Sequence, residues 1–164
     1  MGVALDRDGI VPEALEDLLE RVRPAFVYLV PAFQNPTGSV LSAARSRRVA
    51  ELSARYRVPV VEDLALRNLP LADAPLPAPI AAHAPDGSSI TIGSVSKVLW
   101  AGLRVGWIGA AQPVVDRLQR LKIGADMGSP IPSQRLTCDL LPRIGEAVEE
   151  RRAFLVQGHE ALSA

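Results

Sequence analysis

Apolar residues recur at helical spacing in several stretches of the chain. The first stretch, residues 12–22, begins with a proline, which the first turn of a helix tolerates because that position needs no backbone N–H donor. The second follows Ser42, whose hydroxyl can cap a helix by accepting from a first-turn N–H group. The pattern therefore predicts helices over residues 12–22, 42–57, 114–123, 133–141 and 144–162.

Short runs that are almost wholly apolar separate these helices. Residues 25–30, AFVYLV, and residues 58–62, VPVVE, are typical of strands that are buried on both faces. Residues 70–87 contain five prolines and many alanines, which predict an irregular connection. We predict strands over residues 25–30, 58–62, 89–92 and 105–110. Strands that alternate with helices indicate an α/β protein, a three-layer α/β/α fold with a mostly parallel sheet.

Composition and charge narrow the class of function. A chain of 164 residues is long enough for one domain with a sizeable core. Its 18 basic and 18 acidic residues contain no long run of one sign, so we expect neither nucleic acid nor a membrane as a partner of this segment. Cys138, His83 and His159 have no companions at metal-ligand spacing, and we expect no metal site. No signal peptide or membrane-spanning run is visible, which predicts a cytoplasmic protein.

Polar and charged residues follow three of the predicted strands. Asn35 lies in the turn-rich sequence NPTG after the first strand, Asp63 follows the second, and GSVSK with Lys97 ends the third. In an open parallel sheet, ligands bind beyond the carboxyl ends of the strands. We therefore expect these three side chains to line one crevice.

Each of these residues also has a purely structural interpretation. NPTG is turn chemistry, and Asp63 can cap whatever follows its strand. Ser94 and Ser96 can cap a short helix that starts near Lys97. The ordered combination favours a site, because an aldehyde cofactor with a pyridine ring and a phosphate requires an amine, an acid, an amide donor and an anion pocket.

The chemistry of such a cofactor suggests a role for each residue. Lys97 would form an imine with the aldehyde and, once displaced by a substrate amine, would shuttle protons. Asp63 would keep the ring nitrogen protonated, so that electrons can flow into the ring. Asn35 would donate to the ring oxygen. The residues suited to the phosphate are Ser94, Ser96 and Arg104.

The ordered set NPTG, ED, GSVSK and GLRVGW resembles the large domain of class I/II aminotransferases, which are fold type I pyridoxal-phosphate enzymes. The resemblance runs from about Asp6 to the carboxyl end. It implies pyridoxal 5'-phosphate as cofactor, Lys97 as the Schiff-base lysine, an amino-acid-type amine as substrate and a homodimer for the full-length protein. It also implies that residues 1–164 are a partial large domain, without the family's amino-terminal part and small domain.

A narrower resemblance leaves the function open. LDRDGIVPEALE, YLVPAFQNPTGSVLS and GSVSKVLWAGLRVGWI are similar to the aminotransferase-like domain of MocR-type regulators of the GntR family, which join a winged-helix DNA-binding domain to this fold. Three interpretations of the chain stay open: a domain with transaminase chemistry, an effector-sensing module without full catalytic turnover, and an inactive truncated remnant. This segment contains no DNA-binding element of its own, so DNA would be reached only through an absent winged-helix domain.

The sequence departs from the family pattern beyond Asp63. Many family members place a tyrosine two or three residues after the aspartate, where it donates to the ring oxygen. This chain has Leu64, Ala65 and Leu66 there, so Asn35 would serve alone and efficient transamination is less strongly implied.

We expect the arginines near the carboxyl end to be solvated helix charges and not the substrate-carboxylate arginine of the small domain: Arg143, Arg151 and Arg152.

Overall fold

Helices and strands alternate through the middle of the chain, as the sequence predicts, and three α-helices follow one another toward its carboxyl end. A computed structural model describes residues 1–69, 71, 75–84, 87–126 and 128–163. The α-helices are α1 (Pro12–Val22), α2 (Ala43–Tyr56), α3 (Gln112–Ala125), α4 (Ile131–Leu140) and α5 (Ile144–Ser163). The strands are β1 (Leu5–Asp6), β2 (Gly9–Ile10), β3 (Val27–Leu29), β4 (Val60–Asp63), β5 (Ser89–Ser94) and β6 (Gly106–Gly109). Short 3-10 helices span Ile80–His83, Ala101–Leu103 and Leu141–Arg143.

The predicted helices are present with ends close to those expected. Helix α1 has the predicted bounds, and α2 begins after Ser42, whose hydroxyl accepts from the Arg45 N–H at 3.3 Å. At the other end of α2, Arg57 adopts a left-handed conformation with φ of 55°, which turns the chain toward β4. The predicted connection over residues 70–87 lies partly outside the described residues, and its described part contains the 3-10 helix Ile80–His83.

A four-stranded sheet in the order β3-β4-β5-β6 forms the centre of the fold. Strands β3, β4 and β5 are parallel, and β6 runs antiparallel to β5. The predicted α/β class with a mostly parallel sheet is therefore confirmed. A short antiparallel hairpin of β1 and β2 precedes it and was not predicted, because two-residue strands carry no detectable periodicity.

The main core lies on the face of the sheet that α1 and α2 cover. Val27 and Val60 face this side, where they join Leu15, Leu19, Val49, Leu52 and Ile80 in one cluster of buried apolar residues. Along β4 the side chains alternate, so Val60 and Glu62 are fully buried while Val61 and Asp63 are partly exposed. This alternation decides which acid of the sequence ED is available at the surface.

Glu62 is a buried carboxylate that anchors a distant segment. Its oxygens accept from the backbone N–H groups of Ile80 and Ala81, each at 2.8 Å, and from the Ser89 hydroxyl at 3.4 Å. These contacts cap the 3-10 helix Ile80–His83 and tie it to β4 and β5. They also satisfy a charge that would otherwise be costly to bury.

Charged pairs hold the amino-terminal elements together. Arg45 on α2 binds Asp6 through two contacts of 2.6 and 2.7 Å and also donates to the backbone oxygens of Gly9 and Ile10. The Arg45 guanidinium lowers the pKa of the Asp6 carboxyl from 3.8 to about 2, helped by the N–H of Asp8. The β1-β2 hairpin is thereby fastened to α2.

The arginines near the carboxyl end differ in exposure. Arg143 lies on the surface and pairs with Glu146 at 2.6 Å, as expected for a solvated helix charge. Arg151 and Arg152 are half-buried, and Arg152 pairs with Glu149 at 3.6 Å.

Within the residues described, none of the helices has the length and apolar character needed to cross a membrane.

Candidate functional site

The topology brings the three predicted loops to one edge of the sheet. Leu29 of β3 is paired with Glu62, and Asp63 of β4 is paired with Ile92 of β5. Because these strands are parallel, their carboxyl ends meet at the same edge. The loops that carry Asn35 and Lys97 leave from this edge, on either side of the strand that ends with Asp63.

The loop after β3 is organised by Gln34. Its side-chain Nε2 donates to the backbone oxygen of Asn35 at 2.7 Å, while Oε1 accepts from the backbone N–H of Thr37 at 3.0 Å and from the Thr37 hydroxyl at 2.5 Å. Two backbone hydrogen bonds close the turn: the Gly38 N–H donates to the Gln34 oxygen at 2.6 Å, and the Gln34 N–H donates to the Ser39 oxygen at 3.0 Å. NPTG is thus a turn, as its structural interpretation predicts, and the turn leaves Asn35 exposed.

Asp63 has both carboxylate oxygens engaged. Oδ1 accepts from the Ala65 N–H at 2.9 Å, so the expected capping contact is present. Oδ2 accepts from the Tyr28 hydroxyl at 2.7 Å, and this bond raises the pKa of Tyr28 to about 12, with a smaller contribution from burial. The sequence did not identify Tyr28, since nothing but the register of β3 against β4 shows that the two side chains meet.

The loop after β5 is built around Ser94. The Ser94 hydroxyl donates to the Val105 oxygen at 3.3 Å and accepts from the Ser96 N–H at 3.2 Å. Val95 and Val98, which lie close to these polar residues in the chain, are buried, so apolar packing fixes the position of the segment. For Ser94 to donate to a phosphate, its hydroxyl hydrogen would have to turn away from Val105.

Two cations face solvent at this end of the sheet. Lys97 and Arg104 are exposed, and neither forms an ion pair among the residues that the structure describes. Arg104 follows the 3-10 helix Ala101–Leu103 with φ of 54°, a left-handed conformation that is uncommon for arginine. Unpaired surface cations are free to bind an anion.

Gly93, the residue before Ser94, allows close packing at the end of β5. A Cβ atom at this position would overlap the indole ring of Trp107, its partner on β6. Glycine is therefore required by space and not by backbone conformation. The first residue of GSVSK is explained by this contact.

The donor set fits pyridoxal phosphate in kind. It contains a primary amine and a guanidinium without ion pairs, an exposed amide, and a carboxylate whose orientation is fixed. Among the residues described, no group of three or more histidines, cysteines or acids could hold a metal ion. The geometry thus supplies polar groups suited to an organic, anionic cofactor.

Comparison with known proteins identifies the family. The family model of aminotransferase class I and II matches residues 6–163. The chain belongs to this family. The chain is 40% identical over 166 aligned positions to 2-aminoadipate transaminase of Thermus thermophilus. The alignment covers 99% of this chain and 42% of the transaminase. The chain is also 36% identical over 138 residues to the uncharacterized HTH-type transcriptional regulator YdfD of Bacillus subtilis, covering 84% and 28%.

Solved aminotransferases share the fold. The structure of LysN, the α-aminoadipate aminotransferase of Thermus thermophilus complexed with N-(5'-phosphopyridoxyl)-L-leucine, matches with a TM-score of 0.86 at 36% identity, over 93% of this chain and 40% of that one. The multiple substrate aminotransferase of Thermococcus profundus matches with a TM-score of 0.88 at 28% identity, over 94% and 40%. The fold is that of fold type I aminotransferases, and the chain spans less than half the length of these relatives.

Proposed function

We propose that the chain is a pyridoxal-phosphate-binding domain that acts on an amino-acid-type amine. The observation that carries the proposal is the arrival of Asn35, Asp63 and Lys97 at the carboxyl ends of three neighbouring parallel strands. Membership of the aminotransferase family supports it, as does the phosphopyridoxyl compound with which the similar protein LysN is complexed.

Each residue has a defined task in this proposal. Bound pyridoxal phosphate supplies an electron sink that acidifies the carbon beside the substrate amine. Lys97 would provide the amine that holds the cofactor covalently, and its Nζ would move a proton once a substrate amine has replaced it. Asp63 would hold a proton on the ring nitrogen, and Asn35 would donate to the ring oxygen. The phosphate would be held by Ser94, Ser96 and Arg104.

The two lysines of the chain permit a matched test. Lys97 is exposed at the site, whereas Lys122 lies on α3 and pairs with Asp126 at 2.6 Å. We expect added pyridoxal phosphate to give a near-visible absorbance band that disappears in Lys97→Ala and persists in Lys122→Ala. Borohydride reduction followed by peptide mass mapping should place the cofactor on Lys97.

The results that contradict the proposal are equally specific. Absence of the band in the unmodified chain, or labelling of Lys122 alone, would exclude a cofactor site at Lys97. Circular dichroism and size exclusion supply the fold control. If the unmodified chain proves unfolded or aggregated, the inactive-remnant interpretation is supported instead.

A second candidate is an effector-sensing module of a transcription regulator. It is favoured by the similarity to HTH-type regulators and by Ala65 and Leu66, which stand where many aminotransferases have a tyrosine donor. On this proposal, exchange of Lys97 for an effector amine changes conformation without completing a catalytic cycle. The full-length protein should then show amine-dependent protection from protease without repeated formation of keto acid. Repeated turnover would identify an enzyme.

The coding DNA upstream of Met1 separates the two candidates further. A winged-helix reading frame there supports a regulator, and a complete aminotransferase amino terminus supports a transaminase. The homodimer, the cytoplasmic location and the assignment of residues 1–164 to a partial large domain stay predictions. Sedimentation analysis of the full-length protein tests the homodimer.

A further inference from the structure

We propose that Tyr28 is a positioning residue that fixes the Asp63 carboxylate toward the ring nitrogen of pyridoxal phosphate. The inference rests on the proposed function and adds to it a residue that does not touch the reacting atoms. Its starting observation is the bond of 2.7 Å from the Tyr28 hydroxyl to Asp63 Oδ2.

Two donors from different parts of the chain hold the carboxylate. The Ala65 N–H, two residues further along, binds Oδ1 at 2.9 Å, and Tyr28 binds Oδ2 from the neighbouring strand. One donor alone would leave the carboxylate free to rotate, whereas two donors on opposite oxygens fix its plane. Each oxygen keeps a further lone pair, so Asp63 can still accept from a ring N–H.

The placement of Tyr28 suits this task. It is paired with Val61, and because side chains alternate along β4, Val61 and Asp63 share a face of the sheet. Tyr28 therefore reaches Asp63 as a diagonal neighbour across the two strands. Tyr28 is 52% exposed, so its ring is only partly buried, and its hydroxyl is free to reach Asp63.

The hydroxyl is a dependable donor. A phenol with the ordinary pKa of 10.0 already keeps its proton in the neutral range, and the bond to Asp63 raises the pKa of Tyr28 further, to about 12. A deprotonated phenol would repel the carboxylate, and a less constrained one would donate to water. Tyr28 thus holds Asp63 without competing for the proton on the ring nitrogen.

The chain contains a matched control. Tyr56, the second of its two tyrosines, donates to Glu20 at 2.6 Å between α2 and α1. It lies just before the amino end of β4, at the opposite end of the strand from Asp63. Tyr28→Phe and Tyr56→Phe therefore remove the same hydroxyl and the same kind of contact in two places.

Measuring cofactor affinity distinguishes a positioning role of Tyr28 from a general effect of the substitution on the fold. Pyridoxal phosphate and an analogue with carbon in place of the ring nitrogen are titrated against both variants by absorbance. We expect Tyr28→Phe to weaken pyridoxal-phosphate binding about fivefold to tenfold relative to Tyr56→Phe, which corresponds to the net effect of about one ordinary hydrogen bond. The analogue should bind both variants alike, because it gives Asp63 no ring N–H.

The outcomes are distinguishable. Equal loss of affinity for the cofactor and the analogue in Tyr28→Phe, or no loss for either, overturns the positioning role while leaving the proposed function intact. Failure of the unmodified chain to bind pyridoxal phosphate overturns the proposed function and this inference together.

A measurement without cofactor tests the contact itself. In Tyr56→Phe, Tyr28 is the remaining tyrosine, and ultraviolet difference absorbance should show it ionising near pH 12 and not near its ordinary value of 10.0. Adding Asp63→Asn should move the ionisation back toward 10.0, because the neutral amide no longer opposes the phenolate. Ionisation near 10.0 in Tyr56→Phe itself would show that Tyr28 does not donate to Asp63.

Discussion

Glu62 and Asp63 are adjacent acids whose side chains point to opposite faces of β4. Glu62 is fully buried and accepts from two backbone N–H groups of the 3-10 helix Ile80–His83, whereas Asp63 reaches the carboxyl edge of the sheet. Strand alternation alone separates an acid that stabilises the fold from one available for chemistry. At the scale of single residues, burial and partners decide which of these two adjacent acids can face a ligand.

The Asp6–Arg45 pair predicts a pH dependence of stability. The pKa of Asp6 in the folded state, about 2, lies below its ordinary value of 3.8. The pair therefore makes its full contribution to stability at pH values above 3.8. Its contribution is lost as the pH falls through about 2. We expect Asp6→Asn to be less stable than the unmodified chain at neutral pH, with the difference in free energy of unfolding shrinking over this interval.

Urea denaturation at several pH values measures that difference. Asp139→Asn is the control, since Asp139 takes part in a solvent-exposed pair with Arg135 at 3.2 Å on one helix. The control should show little change at any pH. A difference for Asp6→Asn that stays constant down to the acid end would mean that the pair does not form.

At the scale of elements, the pairing of β5 with β6 depends on Gly93. The Trp107 indole occupies the space where a Cβ of residue 93 would lie, and both residues belong to the pair of strands that leads into the Lys97 loop. A change here should therefore disturb both stability and the site.

We expect Gly93→Ala to lower the free energy of unfolding by about 1–3 kcal/mol through overpacking. Introducing the same change into Trp107→Ala should cost less, because the obstructing ring is absent. Gly158→Ala in α5 is the matched control, since a Cβ there meets nothing within 4 Å, and helix propensity predicts a small gain. Equal losses for Gly93→Ala in both backgrounds would contradict the packing argument.

At the scale of the whole molecule, the sheet has two open edges within the described residues. Strands β3 and β6 end the order of the four strands, and β6 is exposed along its whole length. Trp107 and Ile108 are each 48% exposed there. An exposed apolar edge strand is a template for pairing with another strand.

We therefore expect the chain to associate in a concentration-dependent manner. Ile108→Lys should reduce association, because a charged side chain on the edge resists strand pairing. Leu162→Lys, on the exposed side of α5, should leave association unchanged. Light scattering over a range of protein concentrations measures the effect, and a chain that stays monomeric throughout would contradict the expectation.

Local patterns in the sequence predicted the helices, the four strands of the main sheet and the order of the candidate site residues, but not that one face of β3 and the whole of β6 are exposed. Helix α1 has the predicted bounds because its proline and apolar spacing are local signals, and Ser42 caps α2 for the same reason. The parallel class of the sheet followed from apolar strands separated by helices, and the positions of Asn35, Asp63 and Lys97 followed from the rule that sites lie beyond strand ends.

Tertiary structure alone decided the contacts that join distant parts of the chain. The Tyr28–Asp63 bond spans 35 residues and depends on the register of two strands, and the buried role of Glu62 depends on where the segment around Ile80 packs. The engagement of Ser94 with Val105 arises from the return of β6 beside β5. Such contacts depend on the relative positions of elements, which packing of the whole chain sets and which local periodicity does not encode.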